Sequence, residues 1–341
     1  MTAMNDARFV RERQASKFTL CTVVVGIASL FAGDVVAQST AEITYPAGPI
    51  KIIVPYSPGG GGDIVARLIG LKLMDAWGQS VVIENRAGGG TIIGTDYVAK
   101  APPDGYTILL TTSVIAVNMH LYRKLPYDTE RDFAPLTVLL NAPNVLLVHP
   151  SLPARTVREF IALAKAKPGE LNYGSSGNGG TGHLAMEMLK LNTGIDITHI
   201  AYKGGGPALI ALLSGEIPVL FNNIIAAVPQ VKAGRLRALG VTTLRRSSSL
   251  PLVPTIAEAG VPGFEVAVWF GLFAPARTPV SIIRKISTEV GRIVKLPDVQ
   301  ARFSSEGAEP ASNTPEEFAA QIRTEISHWG RVVKAARIVP E

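Results

Sequence analysis

Short apolar runs alternate with longer amphipathic stretches from about residue 49 to the end of the chain. Ile50 to Tyr56 is an apolar run of strand length. After it, Val65, Ile69, Leu73 and Trp77 recur at every fourth position, which places them on one face of a helix. A glycine follows directly and predicts the end of that helix. The spacing therefore predicts a strand, a loop and a helix in succession.

The same succession recurs along the rest of the chain. Further strands are predicted at 80–84, 106–111, 145–148, 171–173, 197–201, 217–221 and 236–241. Further helices are predicted up to residue 98, at 156–167, at 181–191, after 203–207, and near 280–294, 297–305 and 315–333. Strands that alternate with helices are typical of parallel βαβ units. Because the succession restarts near residue 145, we predict two α/β lobes.

Three glycine-rich turns each lie between a predicted strand and a predicted helix, at residues 57–63, 174–182 and 203–207. The first backbone N–H groups of a helix have no partner within it and lie at the positive end of its dipole. Glycines let an anion approach those groups without a Cβ in the way. We interpret the three turns as anion-binding sites, and ordinary tight connections are the alternative interpretation.

The segment Gly177–Gly182 also matches the dinucleotide-binding pattern G-x-G-x-x-G, and Asp196 follows nearly 20 residues later. In a dinucleotide fold that acidic residue ends the second strand, whereas Asp196 precedes the predicted strand here. We therefore favour a binding protein over a nicotinamide-dependent enzyme as the function of this chain. His183, near the start of the following helix, has two open interpretations: it donates a hydrogen bond to a bound carboxylate, or it packs against the helix start.

The first 37 residues are predicted to be a signal peptide. Four basic residues lie within residues 1–17, an uncharged apolar stretch runs from Phe18 to Gly33, and a small-residue ending reaches Ala37. The stretch is shorter than the roughly 20 apolar residues of a membrane span. We expect cleavage near Ala37, and a permanent N-terminal anchor is the alternative. At roughly 150 residues per domain, the remaining chain has the length of two domains.

The charge, cysteine and histidine content of the chain argues against several classes of function. The formal net charge is +6, but the basic residues are scattered, so we predict no nucleic-acid partner. The only cysteine is Cys21, within the predicted signal peptide, and the five histidines lack the spacing of metal ligands. We therefore predict no metal site and no thiol chemistry.

An ordered set of short motifs resembles one protein family. The motifs are PYSPGGGGD at 55–63, ENRAGGG at 84–90, PDGYT at 103–107, YGSSG at 173–177 with HLA at 183–185, YKG at 202–204, AGRLRAL at 233–239, PT at 254–255 with EAG at 258–260, and PGF at 262–264. Together they resemble the substrate-binding proteins of tripartite tricarboxylate transporters, of the Bordetella-uptake-gene type. The resemblance extends from about residue 45 to the C-terminus.

The resemblance implies a type II periplasmic binding protein fold, with two doubly wound lobes, two crossing segments and a ligand cleft between the lobes. Lobe 1 would contain residues 45–143 plus 268–341, and lobe 2 would contain residues 144–267. The crossings would lie near 142–147 and 265–273. Family members hold a carboxylate at positions that correspond here to Tyr56, Ser57, Gly59, Gly60, Ser175, Ser176, Gly177 and His183.

Four more residues complete the expected site. Thr112, Ser113 and Lys203 are expected further along the wall of the cleft. Many relatives carry an aspartate where this chain has Asn222, and an acidic group suits a ligand with an amino group. The uncharged Asn222 therefore argues against an amino-acid ligand.

The resemblance further implies a monomeric periplasmic receptor, without enzymatic activity or cofactor, that captures a small carboxylate by closure of its lobes. It would deliver that ligand to the membrane permease subunits of a tripartite transporter. Two alternatives remain: an orphan binding module that feeds a signalling receptor, and a dinucleotide-dependent enzyme using Gly177–Gly182.

Overall fold

A computed structural model describes residues 45–335 of the 341-residue chain. The predicted signal peptide, residues 1–37, lies outside this range. Within it, none of the helices combines the length and the apolar character that crossing a membrane requires.

This range contains ten strands and ten α-helices, which alternate along most of it. The strands are β1 (Ile50–Val54), β2 (Val81–Asn85), β3 (Thr107–Thr112), β4 (Phe133–Val148), β5 (Asn172–Ser175), β6 (Thr198–Ala201), β7 (Val219–Asn223), β8 (Arg237–Val241), β9 (Ala267–Pro275) and β10 (Glu309–Pro310). The helices are α1 (Gly61–Trp77), α2 (Ile92–Ala99), α3 (Val114–Leu121), α4 (Val157–Ala166), α5 (Thr181–Thr193), α6 (Gly205–Ser214), α7 (Ile224–Lys232), α8 (Val280–Val294), α9 (Pro297–Ser305) and α10 (Pro315–Ala335).

The strands form one sheet in each lobe. In the first sheet β1 lies parallel between β2 and β3, and β9 runs antiparallel between β3 and β4. In the second sheet β5 lies parallel between β6 and β7, and β4 runs antiparallel to β7 and β8. The central strands are buried on both faces, which explains their nearly continuous apolar sequences. Two α/β lobes are confirmed.

The chain crosses between the sheets within β4. Residues 133–143 of this strand pair with β9, whereas residues 144–148 pair with β7 and β8. The second crossing leads through Val266 into β9, and the two crossings lie side by side. Thr242 joins them, because its Oγ1 accepts a hydrogen bond from the Asn144 N–H (2.9 Å) and donates one to the Val266 carbonyl oxygen (2.6 Å).

The predicted helices at 280–294 and 297–305 are confirmed, and the strand predicted at 145–148 is only the end of the much longer β4. Pro135 and Pro143 lie within β4, and prolines argue against a strand in a sequence pattern. The strand tolerates Pro135 where its pairing with β9 shifts register. Helices α3 and α7, and strand β9 as a full strand, were also missed.

Loss of the Thr242 hydroxyl is expected to destabilise the fold. Thr242 is fully buried, and valine has a similar shape but leaves the Asn144 N–H and the Val266 carbonyl unsatisfied. Thr242→Val should lower the free energy of unfolding by about 2–4 kcal/mol, measured by urea denaturation. Thr242→Ser keeps the hydroxyl and is the control. Equal stability of the valine variant and the native protein would contradict the role of this link.

Candidate functional site

A small cavity lies where the two lobes meet. Residues of both sheets and of the turns that follow them line it: Tyr56, Gly60, Gly61, Gly62, Thr112, Asn144, Ser176, Gly180, Thr181, Gly182, Gly205, Phe221, Asn222, Asn223, Val268 and Phe270. Among these residues, none has a charged side chain. The cavity is therefore polar through backbone amides, hydroxyls and carboxamides.

Three helices direct their N-termini towards this cavity. Helix α1 begins at Gly61, α5 at Thr181 and α6 at Gly205, and all three residues line the cavity. The unpaired first N–H groups of each helix, at the positive end of its dipole, favour an anion there. Helix α1 follows a strand of the first sheet, while α5 and α6 follow strands of the second. An anion between them is therefore attracted from both lobes.

Two buried carboxamides supply further donors. The Nδ2 atoms of Asn144 and Asn223 are buried and have no hydrogen-bond partner in the described part of the chain. A buried donor left unpaired costs about 1–3 kcal/mol, so a partner from outside the protein is favoured. In contrast, Asn222 is engaged, because its Nδ2 donates to the Gly205 carbonyl oxygen at 3.2 Å.

Aromatic side chains close the cavity on the side of the first lobe. The Tyr56 hydroxyl lies 3.0 Å from Thr112 Oγ1, and burial raises the pKa of Tyr56. The tyrosine is therefore neutral at pH 7 and is able to donate a hydrogen bond. Phe270 and Val268, both from β9, add an apolar surface against which the carbon chain of a ligand is able to pack.

The two lobes touch through glycines. The Ser57 N–H donates to the Lys203 carbonyl oxygen across the cleft at 2.9 Å. A Cβ on Gly60 would lie 3.4 Å from the Gly206 nitrogen, and a Cβ on Gly206 would clash with the Pro58 carbonyl oxygen. The first and third glycine-rich turns therefore meet backbone to backbone.

The structure brings five of the twelve expected site residues to the cavity wall: Tyr56, Gly60, Thr112, Ser176 and Asn222. Ser113 follows Thr112, and its buried hydroxyl has no hydrogen-bond partner among the described residues. The other six lie around the cavity without lining it: Ser57, Gly59, Ser175, Gly177, His183 and Lys203.

Asp63 stabilises the first glycine-rich turn, residues 57–63. Its carboxylate accepts a hydrogen bond from the Gly59 N–H (3.1 Å) and forms an ion pair with Arg67 (2.9 Å). Burial opposes ionisation of Asp63, but the hydrogen bonds from Arg67 and Gly59 outweigh it and lower its pKa. The Gly59 N–H is thus already hydrogen-bonded within the turn and stabilises its conformation.

His183 braces the second turn. Its Nδ1 accepts a hydrogen bond from the Gly179 N–H (3.2 Å), and its ring stacks on His199 with centroids 4.2 Å apart. His199 Nε2 lies 2.7 Å from Ser175 Oγ. Burial lowers the pKa of His183, and burial, His183 and Lys190 together lower that of His199 to about 3. Both rings are therefore neutral at pH 7 and support the loop before α5.

Several cavity residues were missed by the sequence analysis. Asn144 lies where β4 crosses between the lobes, Asn223 ends β7, and Phe270 lies in β9. The part of β4 that was not predicted, residues 133–144, and the missed strand β9 explain two of these omissions. Thr181 was predicted at a helix start and could have been selected on that basis.

Comparison with known proteins gives the family. The model of the tripartite tricarboxylate transporter family receptor matches residues 65–338. The chain belongs to this family. It is similar to the protein BugT of Bordetella pertussis, with 38% identity over 318 residues that cover 93% of this chain and 97% of BugT. It is also similar to a protein from the tcbD-tcbE intergenic region of a Pseudomonas species, with 36% identity and coverage of 92% and 96%.

Solved structures of similar proteins share the fold. The Rhodopseudomonas palustris protein Rpa4515, solved with adipate, is 40% identical and superposes with a TM-score of 0.85, covering 87% of this chain and all of Rpa4515. MatC from Rhodopseudomonas palustris, solved with bound malate, is 34% identical with a TM-score of 0.79, covering 85% of this chain and all of MatC. The periplasmic binding protein BugD is 30% identical with a TM-score of 0.85 and similar coverage. The expected type II periplasmic binding protein fold is confirmed, and these family members are solute-binding proteins.

A carboxylate introduced into the cavity is expected to repel an anionic ligand. Asn223 Oδ1 accepts the Ile225 N–H and caps α7, a role that aspartate fulfils equally well. Asn223→Asp should therefore remain folded but weaken carboxylate binding by about 100-fold or more in calorimetry, because it replaces a donor with a like charge. Asn192→Asp, at an exposed position of α5, makes the same charge change elsewhere. Unchanged affinity of the Asn223 variant would remove this residue from the site.

Proposed function

We propose that this protein is an extracytoplasmic receptor that captures a small carboxylate between its lobes and delivers it to the membrane subunits of a tripartite transporter. The observation that supports this most strongly is the uncharged cavity at which the N-termini of α1, α5 and α6 converge. Beside them lie two carboxamide Nδ2 groups that have no hydrogen-bond partner among the described residues. Such a group of donors suits an anion and has no other evident role in the folded chain.

The chemistry of the cavity favours a carboxylic acid over an amino acid. An α-ammonium group that leaves water requires an acidic partner, and the cavity residues include neither aspartate nor glutamate. Asn222 stands at the place where an acidic side chain would meet it. The adipate and malate found in Rpa4515 and MatC are both dicarboxylates without an amino group, which supports the same ligand class here.

The proposal also covers the division into lobes, the closure of the lobes and the export of the protein. Residues 45–143 plus 268–341 would move as lobe 1 and residues 144–267 as lobe 2, with closure about the crossings beside Thr242. The first 37 residues would direct a monomeric protein to the periplasm. Of the expected site residues, those away from the cavity wall would act by holding the turns, as Gly59 and His183 do.

A ligand screen tests the proposed function. Di- and tricarboxylates, aromatic acids and amino acids are compared by thermal shift, and binders are confirmed by calorimetry. A carboxylic acid present at 100 times its dissociation constant should stabilise the protein by about 2.7 kcal/mol. Small-angle scattering should show a smaller radius of gyration with that ligand. Stabilisation by amino acids alone, or by nicotinamide cofactors, would contradict the proposal.

Closure itself depends on Gly206. Alanine is compatible with the helix at this position and with the open form that the proposed closure requires, but its Cβ would clash with the Pro58 carbonyl oxygen where the lobes meet. Gly206→Ala should therefore keep or slightly raise the melting temperature, weaken ligand binding by about tenfold or more, and reduce the compaction seen by scattering. Gly291→Ala, where a Cβ meets only Ser312 at 3.9 Å, is the control. Native affinity in the Gly206 variant would show that this contact does not govern closure.

A further inference from the structure

Helix α8 carries a row of basic side chains on its outer face. Arg284, Lys285 and Arg292 lie in the helix, and Lys295 is its C-terminal cap residue. At about 3.6 residues per turn, these four residues fall within an arc of about 100° around the helix axis. All four are exposed, and two exposed hydroxyl residues complete the arc. We call this face the basic stripe, and its residues are Ser281, Arg284, Lys285, Thr288, Arg292 and Lys295.

The opposite face of α8 fixes the orientation of the basic stripe. Ile282, Ile286, Val290 and Ile293 are buried, and the helix packs against β4 and α1. An amphipathic helix that buries its apolar side in this way must turn its charged side to solvent. The basic stripe is therefore a fixed part of the outer surface of the first lobe.

Most of the charge on the basic stripe is not neutralised within the protein. Glu289 is the single acidic residue of α8, and it pairs with Arg292 at 2.6 Å. Asp298, at the start of the next helix, is paired with Lys72 at 2.6 Å. The other three basic residues of the stripe form no ion pair with any residue that the structure describes. Their charge is therefore available to a partner from outside the chain.

The shape and composition of the basic stripe indicate the kind of partner. Arg284 and Lys295 are separated by about 16 Å along the helix axis, too far for one small anion to contact both. The six residues include no aromatic or aliphatic side chain, whereas protein interfaces depend on such anchors at their centre. A bilayer that contains anionic lipids offers an extended negative surface and requires no anchor of that kind. The basic stripe therefore fits an anionic membrane surface better than a protein.

We propose that the basic stripe docks this protein on a membrane surface that contains anionic phospholipids. None of its six residues lines the cavity between the lobes, so docking at α8 does not occupy the proposed carboxylate site. The contact is electrostatic, which makes it reversible and sensitive to salt. A protein held in this way would diffuse along the membrane rather than through the surrounding solution. This inference does not depend on which ligand the cleft binds.

Vesicle sedimentation tests the proposal. The purified protein is mixed with vesicles of pure phosphatidylcholine, or with vesicles that also contain phosphatidylglycerol. We expect binding to the anionic vesicles only, and release by added salt. The triple variant Arg284→Gln, Lys285→Gln and Lys295→Gln should lower the partition coefficient by about 100-fold, since each basic residue near an anionic surface contributes about fivefold. Glutamine has nearly the same helix propensity as the residues that it replaces, so α8 should remain intact.

A second triple variant makes the same change in net charge on the other lobe. Lys165, Lys232 and Arg235 are exposed and form no ion pair with any described residue of the chain. Lys165→Gln, Lys232→Gln and Arg235→Gln together should leave most of the binding to anionic vesicles in place. Both triple variants should keep the native melting temperature and the native affinity for the carboxylate ligand.

Three outcomes would overturn the proposal. The first is equal binding of the native protein to both kinds of vesicle, or to neither. The second is an equal loss of binding in the two triple variants, which would reflect net charge rather than the basic stripe. The third is binding of polyglutamate through the basic stripe without binding to anionic vesicles, which would replace the membrane by an acidic protein. None of these outcomes bears on the carboxylate site, which the ligand screen tests separately.

Discussion

A carboxylate that leaves water must recover its hydrogen bonds from the protein. The proposed site depends on how the residues around the cleft supply those hydrogen-bond donors. Among the residues that line the cavity between the lobes, none has a charged side chain. Its donors are helix N-termini and carboxamides, which carry partial charges and keep a fixed position. Because helix α1 comes from one lobe and helices α5 and α6 from the other, the full set of donors is assembled where the lobes meet.

Glycine makes this arrangement possible for a simple steric reason. The turns at 57–62 and 203–206 approach so closely that their backbones hydrogen-bond directly, and a Cβ at Gly206 would prevent it. The proposed ligand binding and the proposed closure would thus depend on the same two turns. Thr242 ties Asn144 to Val266 at the crossings, and Asn144 lines the cavity. In the proposed closure, the lobes would turn about these crossings.

Much of this architecture could be predicted from local patterns, and the rest depends on contacts between distant segments. The turn at 57–63 was recognisable as a candidate anion site because its glycines lie between a predicted strand and the N-terminus of a predicted helix. Asn144 and Asn223 were not, since an isolated asparagine has no periodic signal and both owe their position to β4 and β7. Pro135 and Pro143 concealed β4, because register shifts that accommodate a proline appear only once the partner strand is known. The hydrogen bond between Ser57 and Lys203 likewise could not be predicted, because it joins two segments that meet only in the folded protein.

A crystal structure of the protein with a bound dicarboxylate tests the central claim most directly. One carboxylate is predicted to occupy the cavity between the lobes. Its oxygens should be hydrogen-bonded, directly or through one water, to Nδ2 of Asn144, Nδ2 of Asn223 and the first N–H groups of α1 and α5. A ligand bound outside the interlobe cleft, with these donors facing only solvent, would contradict the account.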